Sequence, residues 1–235
     1  MLTFDAVTTY APQHWESHAR RCVESFQKHW SRILLAAFRD EDLLFHSVWL
    51  SEFKARHAHL STDNYRFDAV RFSHKVAAIE LALMGGSADA LVWLDADCVT
   101  HAPVDAEWLS GLLGDADFAY LKRARTYSEC GVMILRRNEA ARKFFASVVD
   151  LYRTDELFKL REWHDSYAID AQRSKFESAG LLLCRSLSGD AENTGHPLVN
   201  GPLGARLDHL KGGRKAEGRS RATDLRAHRN EAYWQ

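Results

Sequence analysis

The sequence predicts an α/β sandwich with a mostly parallel central sheet, and three observations support this fold class. Short β-like apolar runs alternate with longer helical runs, which is the pattern of repeated strand–helix units. Residues 90–94 (ALVWL) form a continuous apolar run, typical of a central strand covered on both faces. The 235 residues are 46% hydrophobic and 27% charged, a composition and length that fit one globular domain.

The elements of the first half of the chain follow from apolar spacing and from start and stop signals. Pro12 opens a helical stretch after the first strand. Gly85 and Gly86 end a helix that begins at Ser73, as a C-cap would. In chain order the predicted elements are a strand at residues 2–9, a helix at 12–29, a strand at 32–38, the helix from 73 and the central strand at 90–94.

The second half continues the alternation, with Asn138 as the N-cap of one helix. The predicted elements are a helix at 105–113, strands at 118–121 and 131–135, a helix at 138–152, a helix at 163–177 and a last strand at 181–187. After that strand, residues 196–213 are rich in Gly and Pro, and residues 205–235 carry eight Lys or Arg against four Asp or Glu. We expect this end to be a loop-forming lid or tail and not part of the core.

Two aspartates, Asp95 and Asp97, directly follow the central strand. Two carboxylates one residue apart do not both ionise comfortably without a cation or strong donors nearby. Oxygen ligands of this kind suit Mg²⁺ or Mn²⁺, which take further ligands from substrate phosphates. Acidic pairs also occur by chance and as turn caps, but a position at the end of an apolar strand favours a functional site.

The segment LVWLDADCVT resembles the Asp-x-Asp signature of GT-A glycosyltransferases, in which an apolar strand leads into the acidic motif. Four other segments resemble further parts of that family in the family's order: SHKVAAIELAL, YSECGVMILRR, WHDSYAID and HPLVNGPLGARLDHLKGGRK. These segments lie within residues 73–215, and the resemblance as a whole covers roughly residues 3–215. The resemblance implies a GT-A-like, Rossmann-type α/β/α sandwich over residues 1–213, followed by a basic C-terminal tail or lid at 214–235.

The resemblance also implies roles for individual residues. Asp97 would bind the metal directly, Asp95 would contact the metal or the ribose of the nucleotide, and His209 would add a ring nitrogen to the metal. Lys211 would neutralise the diphosphate, and Gly212 would let backbone amides approach it. The other candidate contacts to the donor are Thr8, Tyr10, Arg71 and Lys75.

Each of these assignments has a plain structural alternative. Tyr10 is a candidate to stack on uracil and equally a candidate for core packing. Lys75 and Arg71 flank an amphipathic helix, where a surface charge is the default interpretation. Lys211 is otherwise a solvated charge of the tail, and His209 is one of twelve histidines. The position of His209 two residues before Lys211 favours the functional interpretation.

Sugar transfer needs stabilisation of the leaving diphosphate, which a divalent cation provides as a Lewis acid. The acceptor hydroxyl loses a proton, and an inverting enzyme needs a carboxylate base to take it. Asp165 is the first candidate for this base and Glu129 the second. In a retaining enzyme either carboxylate would instead hydrogen-bond the donor sugar, so the stereochemistry stays open.

The predicted function is transfer of a sugar from a nucleoside diphosphate sugar, with a UDP-sugar as the expected donor and Mn²⁺ or Mg²⁺ as the expected cofactor. The acceptor hydroxyl belongs to a glycan or a small molecule, or to a hydroxylated DNA base if the basic tail contacts polyanions. The tail is alternatively a solvated end or a lid over the donor. Trp163, Tyr167 and Trp108 are candidates for an aromatic platform under an acceptor sugar, with core packing as the alternative.

Charge and apolar content set limits on partners and location. The formal net charge is −1 and the pI is about 6.9, so overall electrostatics gives no reason to bind nucleic acid or anionic membrane. No apolar stretch approaches bilayer length, and the first residues lack the regions of a secretory signal. These features predict a soluble, cytoplasmic protein. The widely spaced cysteines predict reduced thiols at small apolar positions: Cys22, Cys98, Cys130 and Cys184.

The strongest alternative function is that of a haloacid dehalogenase-like phosphohydrolase, in which Asp95 would be the nucleophile that forms an aspartyl-phosphate. The order of elements argues against it, because that motif normally opens the catalytic domain and here about ninety residues precede it. A second alternative is a non-catalytic protein that binds nucleotide-sugars. Such a protein would have no chemical need to keep Asp95, Asp97 and His209 together.

Overall fold

A computed structural model of the chain describes residues 1–60 and 62–235. In chain order its strands are β1 (Phe4–Tyr10), β2 (Leu34–Arg39), β3 (Ala90–Leu94), β4 (Cys98–Thr100), β5 (Phe118–Leu121), β6 (Glu129–Arg136), β7 (Cys184–Ser186) and β8 (Leu207–His209). Its helices are α1 (Arg20–His29), α2 (Asp40–His46), α3 (Val48–His57), α4 (Ala69–Gly85), α5 (Ala106–Leu113), α6 (Glu139–Arg153), α7 (Asp165–Ser178), α8 (Pro197–Asn200) and α9 (Arg214–Glu217).

The central sheet has the strand order β2-β1-β3-β6-β5-β7. β1 pairs in parallel with β2 and β3, and β5 pairs in parallel with β7. β6 runs antiparallel to β3 and β5 and is the exception in an otherwise parallel sheet. All five residues of β3 are buried, which confirms the central position predicted from its apolar run.

Each face of the sheet carries an apolar core. Along β3, Leu91 and Trp93 enter one core while Val92 and Leu94 enter the other, because successive strand side chains point to opposite faces. Helices α4 and α6 cover the first face, and α1 and α5 cover the second. This three-layer arrangement confirms the predicted α/β/α sandwich with a mostly parallel sheet.

Several elements differ from the sequence prediction in extent. Helix α4 begins at Ala69, four residues before the predicted start, because the Asp68 side chain caps it by accepting from the backbone N–H of Arg71 at 3.2 Å. Helices α2 and α3 and strand β4 were not predicted. The segment of α2 and α3 mixes buried apolar residues with many charged ones, so its periodicity is weak.

The prediction that residues 196–213 lie outside the core is wrong. Leu198, Leu203 and Leu207 are buried in the second core, and β8 pairs antiparallel with β4. The glycines of this segment serve close packing: a Cβ on Gly201 would lie 2.7 Å from the carbonyl oxygen of Ser188. Glycine content here therefore reflects close backbone approach and not a loop that leaves the body of the protein.

Residues 214–235 pack against the segment that precedes them. The buried carboxylate of Asp208 accepts from the backbone N–H of Ser220 at 2.7 Å and from the hydroxyl of Tyr233 at 2.9 Å. The indole N–H of Trp234 donates to the carbonyl of Gly204 at 2.8 Å. These bonds fasten the end of the chain to strand β8 and to the turn before it.

Two further sequence expectations can be compared with the fold. Among residues 1–60 and 62–235, every helix is too short or too polar to cross a bilayer. All four cysteines are free. Three of them, Cys22, Cys98 and Cys130, are buried as predicted, whereas Cys184 is half-buried.

Candidate active site

Three strands bring the predicted site residues to one edge of the sheet. β1 and β3 end there, and the antiparallel β6 begins there with Glu129, so the backbone N–H of Asp95 donates to the carbonyl of Gly131 at 2.8 Å. The small sheet of β4 and β8 brings His209 to the same place. Cys98 in β4 is opposite His209 in β8, and the backbone N–H of Leu210 donates to the carbonyl of Asp97 at 2.9 Å. Residues more than a hundred positions apart are thereby fixed next to each other.

His209 lies between the two aspartates and a third carboxylate. Its Nε2 is 2.9 Å from Oδ1 of Asp97 and 3.5 Å from Oδ2 of Asp95. Its Nδ1 is 3.0 Å from Oε1 of Glu129, and both His209 and Glu129 are buried. Burial lowers the pKa of His209, but the charge of Asp97 and the hydrogen bonds to Asp97 and Glu129 together outweigh burial and raise the pKa to about 9.

The residues here could hold a divalent cation: ligand atoms of Asp97, Cys98 and His209 lie within 4.8 Å of one another, and Asp95, outside that group, approaches His209 at 3.5 Å. Glu129 holds Nδ1–H, so Nε2 faces the aspartates, and a carboxylate behind a histidine is the usual support of a metal-binding imidazole. Two carboxylates and one imidazole suit Mn²⁺ or Mg²⁺ better than a thiophilic ion. The Cys98 sulfur is near Asp97 and His209, but it faces the carbonyl of Gly131 at 3.5 Å, and burial raises its pKa well above the ordinary value. Cys98 is therefore placed as a neutral thiol behind the site.

A buried lysine links Asp95 to the predicted base. The Lys75 ammonium donates to Oδ1 of Asp95 at 2.7 Å and to the carbonyl of Cys130 at 2.6 Å, and it lies 2.7 Å from Oδ2 of Asp165. Burial lowers the pKa of Lys75, but the charges of Asp165 and Asp95 outweigh it and raise the pKa. Burial raises the pKa of Asp165, but the charge of Lys75 and hydrogen bonds from His164 and Lys75 together outweigh burial, so the pKa is below its usual value.

Three cations, Lys211, Arg123 and Lys215, contact carboxylates of the site, and only Lys211 was among the predicted site residues. Lys211 lies 2.8 Å from Oε2 of Glu129, which also accepts from Arg123 at 2.7 Å. Burial raises the pKa of Glu129, but Lys211, His209 and Arg123 together bring it well below the usual value. Lys215, which the sequence did not single out, lies 3.0 Å from Oδ2 of Asp97.

A second residue that sequence reasoning missed is His18. Burial, together with the charge of Lys215, lowers its pKa to about 4, so it is a neutral imidazole beside this cluster. Neither residue had a distinctive signal, since Lys215 is one of many cations in the tail and His18 is one of twelve histidines.

The structure gathers seven of the eleven predicted site residues into one network of ion pairs and leaves four outside it. The network consists of Lys75, Asp95, Asp97, Glu129, Asp165, His209 and Lys211. Thr8 is buried in β1, Tyr10 packs on Trp15 with centroids 5.2 Å apart, and Arg71 is exposed above Phe72. Within the described part of the chain, no hydrogen bond or ion pair joins these three to the network. Gly212 has φ +58°, a conformation that favours glycine, and it turns the chain between Lys211 and α9.

The three aromatic residues considered as a platform lie in separate environments. Trp108 lies under the guanidinium of Arg206, and Trp163 packs edge-on against Phe67 and Phe158. Tyr167, in the first turn of α7, packs edge-on against Tyr127 and His164. The platform as a unit of three rings is therefore not formed.

Gly131 provides a steric test of the histidine position. A Cβ at residue 131 would collide with the Cε1 and Nδ1 atoms of His209. We expect Gly131→Ala to displace the ring and to weaken Mn²⁺ binding roughly 5- to 150-fold, which corresponds to an overpacking cost of about 1–3 kcal/mol. Isothermal titration of Mn²⁺ measures the change. Gly111→Ala is the control, because a Cβ there meets nothing within 4 Å, and unchanged Mn²⁺ affinity in Gly131→Ala would contradict the assignment of His209.

Comparison with known proteins gives a likeness in fold. No protein-family model matches the sequence, and neither does any curated protein sequence. A glycosyltransferase involved in the glycosylation of the major capsid of PBCV-1 matches with a TM-score of 0.51 at 14% identity, over 92% of this chain and 96% of that one.

Two other solved glycosyltransferases match with lower scores. Apo GlyE of Streptococcus pneumoniae TIGR4 matches with a TM-score of 0.46 at 13% identity, over 80% of this chain and 46% of that one. Apo xyloside xylosyltransferase 1 of the mouse matches with a TM-score of 0.44 at 11% identity, over 80% of this chain and 85% of that one. This chain thus spans about half the length of GlyE. The strand order of this chain and its likeness to the PBCV-1 enzyme show that it shares the α/β fold of that glycosyltransferase.

Proposed function

We propose that the protein is a metal-dependent glycosyltransferase that moves a sugar from a nucleoside diphosphate sugar, with uridine as the nucleoside, to an acceptor hydroxyl. The observation that carries the proposal is the convergence of Asp95, Asp97 and His209 at the carboxyl end of β3, with Nε2 of His209 within 3.5 Å of both aspartates. A divalent cation held there supplies Lewis-acid stabilisation to the leaving diphosphate. The fold supports the same reaction class by analogy.

Lys215 is the better candidate for contact with the diphosphate. Its ammonium lies 3.0 Å from Oδ2 of Asp97, the proposed metal ligand, and is therefore next to the place where a metal-bound diphosphate would lie. Lys211 has a different task, because its ammonium is bound to the buried Glu129. We therefore assign Lys215 to the donor and Lys211 to the support of Glu129 and His209.

We propose that Asp165 binds a hydroxyl group of a substrate and does not act as the base. Its ion pair with Lys75 helps to keep its pKa below the usual value. A carboxylate whose pKa is far below the working pH is a weak base, because it takes up a proton poorly. The same ionised carboxylate is a strong hydrogen-bond acceptor. We assign Asp165 to orientation of a sugar hydroxyl and Lys75 to orientation of both Asp165 and Asp95.

The acceptor class that we propose is a glycan or a hydroxylated small molecule. Cations of the C-terminal tail are paired within the tail: Arg214 with Asp224, and Arg221 with Glu217. Arg229 is paired with Glu231 and Lys215 with Asp97, so within the described residues only two of the six cations at 214–235, Arg219 and Arg226, have no ion pair, and the DNA alternative gains no support. The phosphohydrolase alternative also gains none, because the Oδ1 atom of Asp95 already accepts from Lys75 and from the indole N–H of Trp93.

Titration of UDP and GDP by isothermal calorimetry, with and without Mn²⁺, tests the proposal. We expect UDP to bind in the presence of Mn²⁺ and to bind at least tenfold more weakly without it. If neither nucleotide binds and the protein releases phosphate from p-nitrophenyl phosphate in a Mg²⁺-dependent way, the glycosyltransferase proposal is wrong and the phosphohydrolase is favoured.

Replacement of the carboxylate behind the histidine should weaken metal binding without removing a ligand. In Glu129→Gln the side chain keeps its shape but holds Nδ1–H less strongly, and loss of such a supporting carboxylate typically weakens metal binding about 10- to 100-fold. Free Mn²⁺ measured by electron paramagnetic resonance gives the affinity. Glu139→Gln, on the exposed start of α6, is the matched control. Wild-type Mn²⁺ affinity in Glu129→Gln would show that Glu129 does not support the histidine.

A further inference from the structure

A cavity of about 730 Å³ lies at the side of the protein away from the metal-binding edge, between α3 and the ends of α4 and α6. Helix α4 connects the two places: Lys75 lies near the aspartates, and Met84, nine residues later and roughly 14 Å along the helix axis, lines the cavity. The volume is within the range of about 300–1,000 Å³ for small-molecule sites. The catalytic residues do not contribute to the lining.

The polar part of the lining is held in place by its own hydrogen bonds. Glu80 accepts from the indole N–H of Trp49 at 2.6 Å and from the guanidinium of Arg153 at 2.9 Å. Arg56 donates to Asp155 at 3.1 Å. The side chains of Arg56 and Arg153 remain 39% and 45% exposed, so each guanidinium keeps donors free for a ligand.

One charged lining group has no ion pair within residues 1–60 and 62–235. It is the exposed carboxylate of Glu52, on the same face of α3 as Arg56. Together with the free donors of Arg56 and Arg153, it gives the cavity acceptors and donors for a ligand that carries both.

Charge and apolar exposure narrow the class of ligand. The lining holds two positive side chains, Arg56 and Arg153, and two negative ones, Glu52 and Glu80, so its formal charge is zero and it favours no ionic ligand. Val48 and Met84 are 74% and 60% exposed at the same cavity and offer apolar contact. A neutral molecule with many hydroxyls and with apolar C–H faces satisfies both kinds of surface.

We propose that this cavity binds a short neutral oligosaccharide at a site separate from the active site. Planar guanidinium and carboxylate groups bond neighbouring hydroxyls, while Val48 and Met84 contact the C–H face of a sugar ring. The binding itself does not depend on the proposed function. Its use does: in a glycosyltransferase such a site would retain a glycan acceptor on the enzyme between transfers.

Titration of metal-free, nucleotide-free protein with maltotriose, cellotriose and N-acetylated chitotriose, by calorimetry and by saturation-transfer difference NMR, tests the proposal. We expect at least one of these neutral trisaccharides to bind with a Kd of about 1 mM or below. The cationic, deacetylated chitotriose and the anionic trigalacturonate should bind at least tenfold more weakly. A Kd above about 10 mM for all three neutral sugars, or preference for a charged one, overturns the proposal.

Two exposed substitutions locate the binding. Met84→Arg should fill the cavity and weaken trisaccharide binding at least tenfold, and Arg56→Ala should weaken it by removal of a donor. Leu181→Arg is the matched control, because Leu181 is also 60% exposed but lies by β7. Trisaccharide binding that survives both cavity substitutions overturns the assignment. Mn²⁺-dependent UDP binding measured on the same variants should be unchanged, so failure at this site and failure of the proposed function are separate results.

Discussion

Replacement of Asp97 by alanine is expected to abolish Mn²⁺-dependent UDP binding and to lower sugar transfer about 10³-fold. Asp97 is the carboxylate nearest to Nε2 of His209, at 2.9 Å, and it also holds Lys215 at 3.0 Å. Its removal takes away a proposed metal ligand and the ion-pair partner of Lys215, the lysine proposed to contact the diphosphate. Loss of several kcal/mol of charge stabilisation, about 4 kcal/mol here, corresponds to that factor in rate.

Thermal unfolding with and without ligand provides a readout that needs no acceptor. A ligand at about 100 times its Kd stabilises the folded state by roughly 2.7 kcal/mol, so UDP with Mn²⁺ should raise the Tm of the wild type. The Tm of Asp97→Ala should not respond. Asp115→Ala, an exposed aspartate beyond α5, is the control and should respond like the wild type. A Tm increase of equal size in Asp97→Ala would exclude Asp97 as a metal ligand.

The part of the site that could be predicted from sequence is the part encoded locally. Residues 90–94 are apolar throughout, so the strand, its burial and the position of Asp95 and Asp97 at its end follow from a few neighbouring residues. His209 entered the prediction through a family resemblance. What holds it opposite Asp97 is the pairing of β4 with β8, two strands of three residues each that are too short to show a periodicity.

The lysines show why finer assignments need the structure. Lys211 and Lys215 are four residues apart on either side of Gly212, whose φ of +58° sets the direction of α9. On the two sides of this turn, Lys211 meets Glu129 and Lys215 meets Asp97. Sequence spacing carries no information on such an angle. The same limit applies to residues 196–213, where glycines that allow close packing have the composition of a loop.

Replacement of Lys75 by methionine is expected to reduce the free energy of unfolding by about 3–5 kcal/mol at pH 7, because removal of one partner leaves buried carboxylate charge without compensation. Asp165 is 4% exposed and depends on Lys75 for its low pKa. Urea denaturation measures the loss. Lys143→Met, on the exposed face of α6, is the control and should show no measurable change.

The double variant Lys75→Met, Asp165→Asn separates the charge effect from lost packing. If uncompensated charge is the cause, the double variant should be more stable than Lys75→Met alone, since no ionised Asp165 is left buried.

The pH dependence of folding stability is a second test of the same explanation. In the wild type the pKa of Asp165 is depressed, so its contribution is present above the unfolded pKa of about 3.9 and is lost as the pH falls through the folded pKa. In Lys75→Met, Asp165 protonates more readily, so the stability difference from the wild type should narrow between pH 7 and pH 4. A difference that stays constant over this range would show that lost packing, and not charge, causes the destabilisation.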